Sequence, residues 1–220
     1  GKVKAAIKMT NAIPNAKLRL AAKRRVFAQI HKSFGGRLRI MISGGAAVDP
    51  KIMQGLRDLG IAAYQGYGLT ECAPLAALNR DTFYNDGSAG MATPNALLDI
   101  YDVQGDGTGE IRYKGDNIML GYYKQPEMTA EVIRDGWFYT GDLGYLDKDG
   151  FLFITGRKKN VIVTSNGKNI FPEELETYLG RTPYVAESVV VGYMNPKKKD
   201  YDIVAIIRPD LDRMVEDFGA

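Results

Sequence analysis

The sequence predicts three segments in order: α/β, then antiparallel β, then α+β. Three observations carry this. Between residues 38 and 67 an apolar run, a capped helical stretch and a second apolar run follow one another, the rhythm of a βαβ unit with parallel strands. From about residue 97 strand-like runs come in pairs around glycine- and aspartate-rich turns, which reads as antiparallel pairing. After Lys158 a β-branched run, a glycine turn, a helix beginning at Pro172 and two further apolar runs alternate. The expected divisions are 1–96 (α/β), 97–157 (a small antiparallel β subdomain) and 158–220 (α+β).

Taken along the chain, "AKLRLAAKRRVFAQIHKSF" (16–34) predicts one helix, with Leu20, Phe27, Ile30 and Phe34 at helical spacing and Gly35-Gly36 as the stop. Every charged residue from Lys17 to Arg39 is basic. A membrane-surface helix and a surface helix with one buried stripe both fit, and the second is favoured because amphipathic helices usually pack on cores. "LRIMIS" (38–43) is a buried strand ending at Gly44-Gly45. "DPKIMQGLRDLG" (49–60) is a helix with Asp49 as N-cap, Pro50 at the first helical position and Gly60 beyond the end. "IAAYQGYG" opens the second strand. "LLDIYDV" and "GEIRYKG" flank "QGDGT", and "FYTGDLGYL" and "FLFITG" flank "DKDG". "NVIVT", "PEELETYLG", "ESVVVGY" and "DIVAIIRP" then read as strand, helix, strand, strand. Missing sheet partners would leave exposed edges and apolar patches, through which the piece would associate with itself.

Composition excludes several classes. The chain has 220 residues, 45% hydrophobic and 25% charged, ordinary for a globular protein. A net charge of +3 gives no polyelectrolyte signal for nucleic acid, and the basic helix and the cluster at 157–159 lack interleaved aromatics. One cysteine, Cys72, allows no internal disulfide and fits a reducing, cytoplasmic setting; one histidine, His31, allows no multi-histidine metal site within the chain. Neither a membrane-spanning run of about 20 apolar residues nor a signal peptide is visible. A Walker loop and a G-x-S-x-G elbow are also lacking.

Three stretches carry chemistry. "GYGLTE" (66–71) approaches a dinucleotide-binding pattern but ends in Glu71. Gly66 and Gly68 would let the backbone approach a planar ligand, Tyr67 offers an aromatic face, and Thr70 can donate to an anionic oxygen. Glu71 beside a pyrophosphate would repel it unless a divalent cation intervened. "GWFYTGDLG" (136–144) places Asp142 after a glycine, and a carboxylate accepting two hydrogen bonds suits a vicinal diol. "TGR" (155–157) supplies Arg157. Alone, each reads equally as a loop, a capping aspartate or an exposed arginine. Cys72 directly after Glu71 is a poor nucleophile, because a neighbouring carboxylate raises a thiol pKa.

Together and in this order, "SGGAAVDP", "YQGYGLTE", "GEIRYKGDNIMLGYYKQPEMT" and "DGWFYTGDLGYLDKDGFLFITGRKKNVIVTSNGKNIFPEELE" resemble the adenylate-forming superfamily of acyl-CoA synthetases, peptide-synthetase adenylation domains and luciferases. "FGGRLRIMISGGAAVDP" and "VTSNGKNIFPEELE" look most like bacterial long-chain fatty acyl-CoA ligases. The resemblance implies that Gly44, Gly45 and Ala46 line the adenine and acyl pockets, that Tyr67 packs on adenine beside Gly66, that Thr70 contacts phosphate, and that Glu71 organises magnesium. It implies further that Asp142 holds the ribose hydroxyls with Arg157 as partner, that Ile154 flanks the nucleotide, and that Lys159 is a hinge. The loop at Gly167 and Lys168 would approach the centre during thioester formation. Asn160 departs from the aspartate usual after the hinge. The substrates implied are ATP, a fatty acid and coenzyme A, with Mg2+ as cofactor, and the enzyme an acid–thiol ligase at the cytoplasmic face, where a peripheral contact with the inner membrane stays open.

The family's serine-, threonine- and glycine-rich phosphate loop and its C-terminal catalytic lysine have no match in the chain, which opens on Gly1. The resemblance therefore implies an internal or C-terminal fragment of a synthetase, inactive alone, in which 1–96 is the C-terminal part of the large α/β adenylation domain and 158–220 an incomplete, mobile C-terminal α+β domain. Adenylation of an aryl, short-chain or amino acid, and a non-catalytic nucleotide-binding or interaction module, remain alternatives.

Overall fold

A computed structural model describes residues 1–219, so residue 220, the last of the third expected segment, lies outside the described residues. The chain forms two compact units. The first comprises Gly1–Leu98, Lys114–Tyr122 and Asp147–Phe153; the second comprises Asp99–Tyr113, Tyr123–Leu146 and Ile154 onward.

The first unit opens with α1 (Lys2–Asn11), α2 (Ala16–Val26) and α3 (Ala28–Ser33), followed by β1 (Ile40–Ser43), α4 (Pro50–Asp58), β2 (Ala62–Tyr67), a single 3₁₀ turn (Thr70–Cys72), β3 (Ala77–Leu78) and β4 (Met91–Ala92). The sheet order is β1-β2-β3-β4. β1 and β2 run parallel with Ile40 opposite Ala62 and Ser43 opposite Gln65, as the strand–helix–strand rhythm predicts. β3 joins β2, and β4 joins β3, antiparallel. The core contains Phe27, Met53, Ile61, Ala63, Tyr64, Tyr67 and Cys72.

The helix expected over 16–34 is two helices. The chain turns at Phe27 (φ −103°, ψ 28°), whose side chain is buried. The turn brings Lys23 on α2 and His31 on α3 to the end of α4. Lys23 Nζ donates to the Arg57 carbonyl (2.9 Å) and His31 Nε2 bonds the Leu59 carbonyl (2.9 Å). These carbonyls belong to the last turn of a helix, which lacks intrahelical donors and attracts basic side chains. Burial pushes the Lys23 ammonium pKa down, while Asp58, 3.8 Å away, opposes the shift. At the other end Asp49 accepts from the Lys51 N–H (2.7 Å) and Pro50 occupies the first turn, as expected.

The second unit is built on β5 (Ala96–Tyr101), β6 (Gly109–Gly115), α5 (Pro126–Val132), β7 (Ile133–Arg134), β8 (Trp137–Leu146) and β9 (Leu152–Arg157). The order is β5-β6-β8-β7, with β9 also on β8; β6 and β7 pair antiparallel with β8. Ile111, Tyr113, Phe138 and Tyr139 are buried there. Next come β10 (Ile162–Val163), β11 (Asn169–Ile170), α6 (Pro172–Leu179), β12 (Val185–Asn195), β13 (Asp200–Pro209) and α7 (Leu211–Phe218). β12 and β13 form a two-stranded antiparallel pair that leaves Val189, Tyr193, Ile206 and Ile207 exposed. Among the described residues, no helix is long and apolar enough to cross a membrane.

Two glycines beside α4 predict opposite outcomes. Gly60 has φ +87°, and a Cβ there would lie 2.9 Å from Lys23 Cβ. Gly55 sits inside α4 with nothing within 4 Å of its Cβ position. Gly60→Ala should lower stability by about 2 kcal/mol, whereas Gly55→Ala should raise it by about 0.5–1 kcal/mol. Denaturant midpoints of the two variants moving in the same direction would contradict this account.

Candidate functional site

In the first unit the candidate residues gather at the carboxyl ends of the parallel pair β1 and β2, the end where open α/β sheets bind ligands. Gly44, Gly45 and Ala46 leave β1 while Gly66, Tyr67 and Gly68 close β2. A Cβ on Gly44 would stand 3.4 Å from the Gly66 carbonyl, so the two segments run side by side. Gly45 turns with φ +86°. Buried Gln65 ties the segments together: its Oε1 accepts from the Val48 N–H (2.8 Å), and its Nε2 donates to the Val48 carbonyl (3.2 Å) and the Asp86 carbonyl (2.6 Å). Gly68 is demanded by the chain itself, since a Cβ there would fall 1.8 Å from the Pro74 carbonyl oxygen.

Tyr67 is buried, Thr70 is exposed at the start of the 3₁₀ turn, and Glu71 is half-buried within it. Residues 117–122 hold this turn. Tyr122 Oη donates to Glu71 Oε1 (2.9 Å), the Met119 N–H donates to the Glu71 carbonyl (2.8 Å), and Asn117 Nδ2 donates to the Leu75 carbonyl (3.1 Å) and to that of Cys72. Burial, and then the Glu71 carboxylate, push the Tyr122 hydroxyl pKa up. The Cys72 thiol is fully buried and pushed up to about 11 by burial and by Glu71, which removes it as a nucleophile. Sequence reasoning gave Gln65, Asn117 and Tyr122 no role. Tyr122 lies 51 residues from Glu71, and only its place in the quoted glycine–tyrosine motif marks it.

In the second unit Asp142 is aimed by a β-bulge. Glu110 on β6 faces Leu143 on β8, but Arg112 faces Tyr139, so Thr140, Gly141 and Asp142 are pushed out of register. Gly141 takes φ +71°, Thr140 Oγ1 donates to the Ile111 carbonyl (2.7 Å), and the Asp142 N–H donates to Thr140 Oγ1 (3.1 Å). The Asp142 side chain is 7% exposed, while that of Arg157 is 67% exposed with Nε 3.2 Å from Asp142 Oδ1. Asp142 and Arg157, separate features when read from the residues alone and partners by the resemblance, form an ion pair. Ile154 is exposed on β9. Lys159 is exposed in the turn after Arg157, which the Asn160 N–H closes onto the Arg157 carbonyl (2.9 Å). Gly167 (φ +78°) and exposed Lys168 form the turn between β10 and β11, anchored where the Ser165 N–H meets Asp200 (2.8 Å).

Chemically, the first unit offers an aromatic side chain, two backbone segments in close approach, an exposed hydroxyl and an oriented carboxylate. The second offers a buried carboxylate paired with an exposed guanidinium. Among the described residues no three His, Cys, Asp or Glu side chains cluster to hold a metal ion.

Residues 3–123 match the family model described as "AMP-binding enzyme". The chain is 39% identical over 173 residues to a long-chain-fatty-acid–CoA ligase of Mycobacterium bovis, covering 79% of this chain and 28% of that protein. It is 38% identical over 179 residues to the indoleacetate–CoA ligase of Aromatoleum aromaticum, covering 78% of this chain and 35% of that one. The chain thus spans about a third of the length of these relatives. Its fold overlays o-succinylbenzoate coenzyme A synthetase of Bacillus subtilis in complex with AMP, with a TM-score of 0.72 at 27% identity over 88% of this chain and 43% of that one. That synthetase has also been solved with ATP and a magnesium ion. The chain belongs to the AMP-binding enzymes, the adenylate-forming family of acyl-CoA synthetases.

Proposed function

We propose that the full-length protein is an ATP-dependent, AMP-forming acid–thiol ligase acting on long-chain fatty acids, and that residues 1–220 carry the adenosine-recognition part of its site. The observation that carries this reading is the bulge-borne Asp142–Arg157 pair. A buried carboxylate lies 3.2 Å from an exposed guanidinium. A carboxylate is an acceptor-only group with two oxygens, the chemistry that suits the two hydroxyls of a ribose. Gly44–Ala46 and Tyr67 would take the adenine, and Thr70 would donate to an α-phosphate oxygen.

The chemistry follows from these roles. The fatty acid carboxylate attacks the α-phosphorus of ATP, pyrophosphate leaves, and an acyl-adenylate remains. The thiol of coenzyme A then loses its proton as it attacks the acyl carbon, and AMP leaves. Positioning and neutralisation of developing negative charge supply most of the acceleration. We assign 97–157 as the β subdomain that carries the ribose contacts. Residues 158–220 would be a domain pivoting at Lys159, bringing the loop of Gly167 and Lys168 toward the thioester step.

Magnesium fits Glu71. A magnesium–nucleotide site draws one or two carboxylates from the protein and fills the rest with phosphate oxygens and water. Glu71 is one half-buried carboxylate in the 3₁₀ turn, with one oxygen oriented by Tyr122. The ion would neutralise phosphate charge. The proposal includes a cytoplasmic location, where ATP and coenzyme A are at hand, with contact at the inner membrane face through the basic helices. The substrate class rests on the 39% identity to a long-chain ligase, and the 38% identity to an indoleacetate ligase favours an aryl acid as second reading.

Incubating the full-length protein with a fatty acid, ATP and coenzyme A should release pyrophosphate and form thioester; no adenylate with any carboxylic acid would sink the proposal. Asp142→Ala should weaken ATP binding by about tenfold or more, through lost charge-assisted hydrogen bonds. Unchanged nucleotide affinity would count against the ribose role. Tyr122→Phe should raise the magnesium concentration for half-maximal ATP binding by about threefold to tenfold. An identical magnesium titration would show that Tyr122 does not orient Glu71.

A further inference from the structure

Glu110 is a buried carboxylate near the start of β6. Burying a carboxylate is costly unless it is paired and hydrogen-bonded, and an apolar side chain there would avoid that cost. Both its oxygens have directional partners. Oε1 accepts from the Gly141 N–H (3.2 Å), and Oε2 accepts from Lys158 Nζ (2.8 Å). The Lys158 N–H donates in turn to the Gly141 carbonyl (2.9 Å). These three bonds close a ring in which the Gly141 residue is gripped at its N–H by Glu110 and at its carbonyl by Lys158.

Asp142 follows Gly141 directly, and Arg157 directly precedes Lys158. Both members of the ion pair therefore hang from this ring. Gly141 has the positive φ that the bulge needs, and glycine, the least restricted residue, does not hold that conformation unaided. Thr140 steadies one side of the bulge, through the Ile111 carbonyl and the Asp142 N–H. Glu110 and Lys158 steady the other.

We propose that Glu110 is a positioning residue for ribose recognition: with Lys158 it locks the Gly141 bulge and so fixes where Asp142 presents its carboxylate. This rests on the nucleotide reading above. It identifies the 2′,3′-diol of the nucleotide as the group whose recognition depends on a residue that never touches it.

The test compares binding of ATP and 2′,3′-dideoxy-ATP to the full-length protein by calorimetry. Glu110→Ala should raise the Kd for ATP by about tenfold, the scale of a lost charged hydrogen bond, and leave that for the dideoxy nucleotide within about twofold, since no diol remains to be read. Glu110→Gln should recover most of the loss, because an amide oxygen still accepts from the Gly141 N–H. Lys158 is 58% exposed, so Lys158→Met serves if Glu110→Ala does not fold. It should weaken ATP alone, by about twofold to threefold. Equal loss for both nucleotides, or Lys158→Met with an unchanged ratio between them, overturns the proposal. Asp142→Ala separates the two levels of the argument. If it abolishes the preference for ATP while Glu110→Ala keeps it, this proposal alone fails. If Asp142→Ala leaves the preference intact, the ribose reading fails and this proposal with it.

Discussion

A bulge of three residues in β8 is the constraint on which the second unit's chemistry depends. In a regular antiparallel pair, β6 and β8 would keep one register from Gly109 to Tyr113, and residue 142 would face a neighbour on the sheet. Displacing Thr140–Asp142 frees the Asp142 side chain from that alternation while leaving it buried. A bulge sacrifices ladder hydrogen bonds, so the freed backbone groups need other partners. Here they are side chains: Thr140 accepts from Asp142, and Glu110 accepts from Gly141. The Gly141 carbonyl is met by the Lys158 N–H instead.

The first unit solves a related problem with an amide. The glycine segment after β1 has no side chains to anchor it. Gln65, one strand over, bonds both the N–H and the carbonyl of Val48 and reaches the carbonyl of Asp86. A buried amide is tolerated when its donors and acceptor are used, and this one uses all three kinds of contact available to it. Asn79, also buried, repeats the device on the far side of β2: its Nδ2 donates to the carbonyls of Gln65 and Ser88, and its Oδ1 accepts from the Asn85 N–H. These thin loops are thus stiffened by side-chain amides from neighbouring strands.

This division explains what the sequence made legible. Features set by neighbours in the chain could be read directly. Asp49, Pro50 and Gly60 bracket α4 because capping and positive φ are local requirements, and the parallel β1–β2 pair followed from the spacing around it. Features set by distant partners could not. Nothing near Phe27 breaks a helix by propensity; the turn there serves to bring Lys23 and His31 to carbonyls 28 to 34 residues away. The bulge at Gly141 is local in geometry, but its cause lies on β6 and β9. Asp142 and Arg157 were individually visible as chemistry-bearing residues and were matched as partners only through the resemblance; the bulge that aims Asp142 shows only in three dimensions.

Asn160 shows the same logic in the turn after Arg157. Against the aspartate usual at this place in the family it resembles, an amide looked like a lost charge. Its Nδ2 donates to Glu173 Oε1 at 2.5 Å, and Glu173 stands in the first turn of α6. The other oxygen of Glu173 is buried without a hydrogen-bond partner, 2.8 Å from where a Cβ on Gly156 would sit. An aspartate at 160 would set two carboxylates against each other beside that buried oxygen, and like charges so placed disfavour ionisation. The amide instead turns the contact into a donor–acceptor pair. In this chain the substitution at 160 is therefore matched to the carboxylate at 173, and the turn after Arg157 is tied to α6 by a neutral-to-charged hydrogen bond where an ionised pair would have pushed it away.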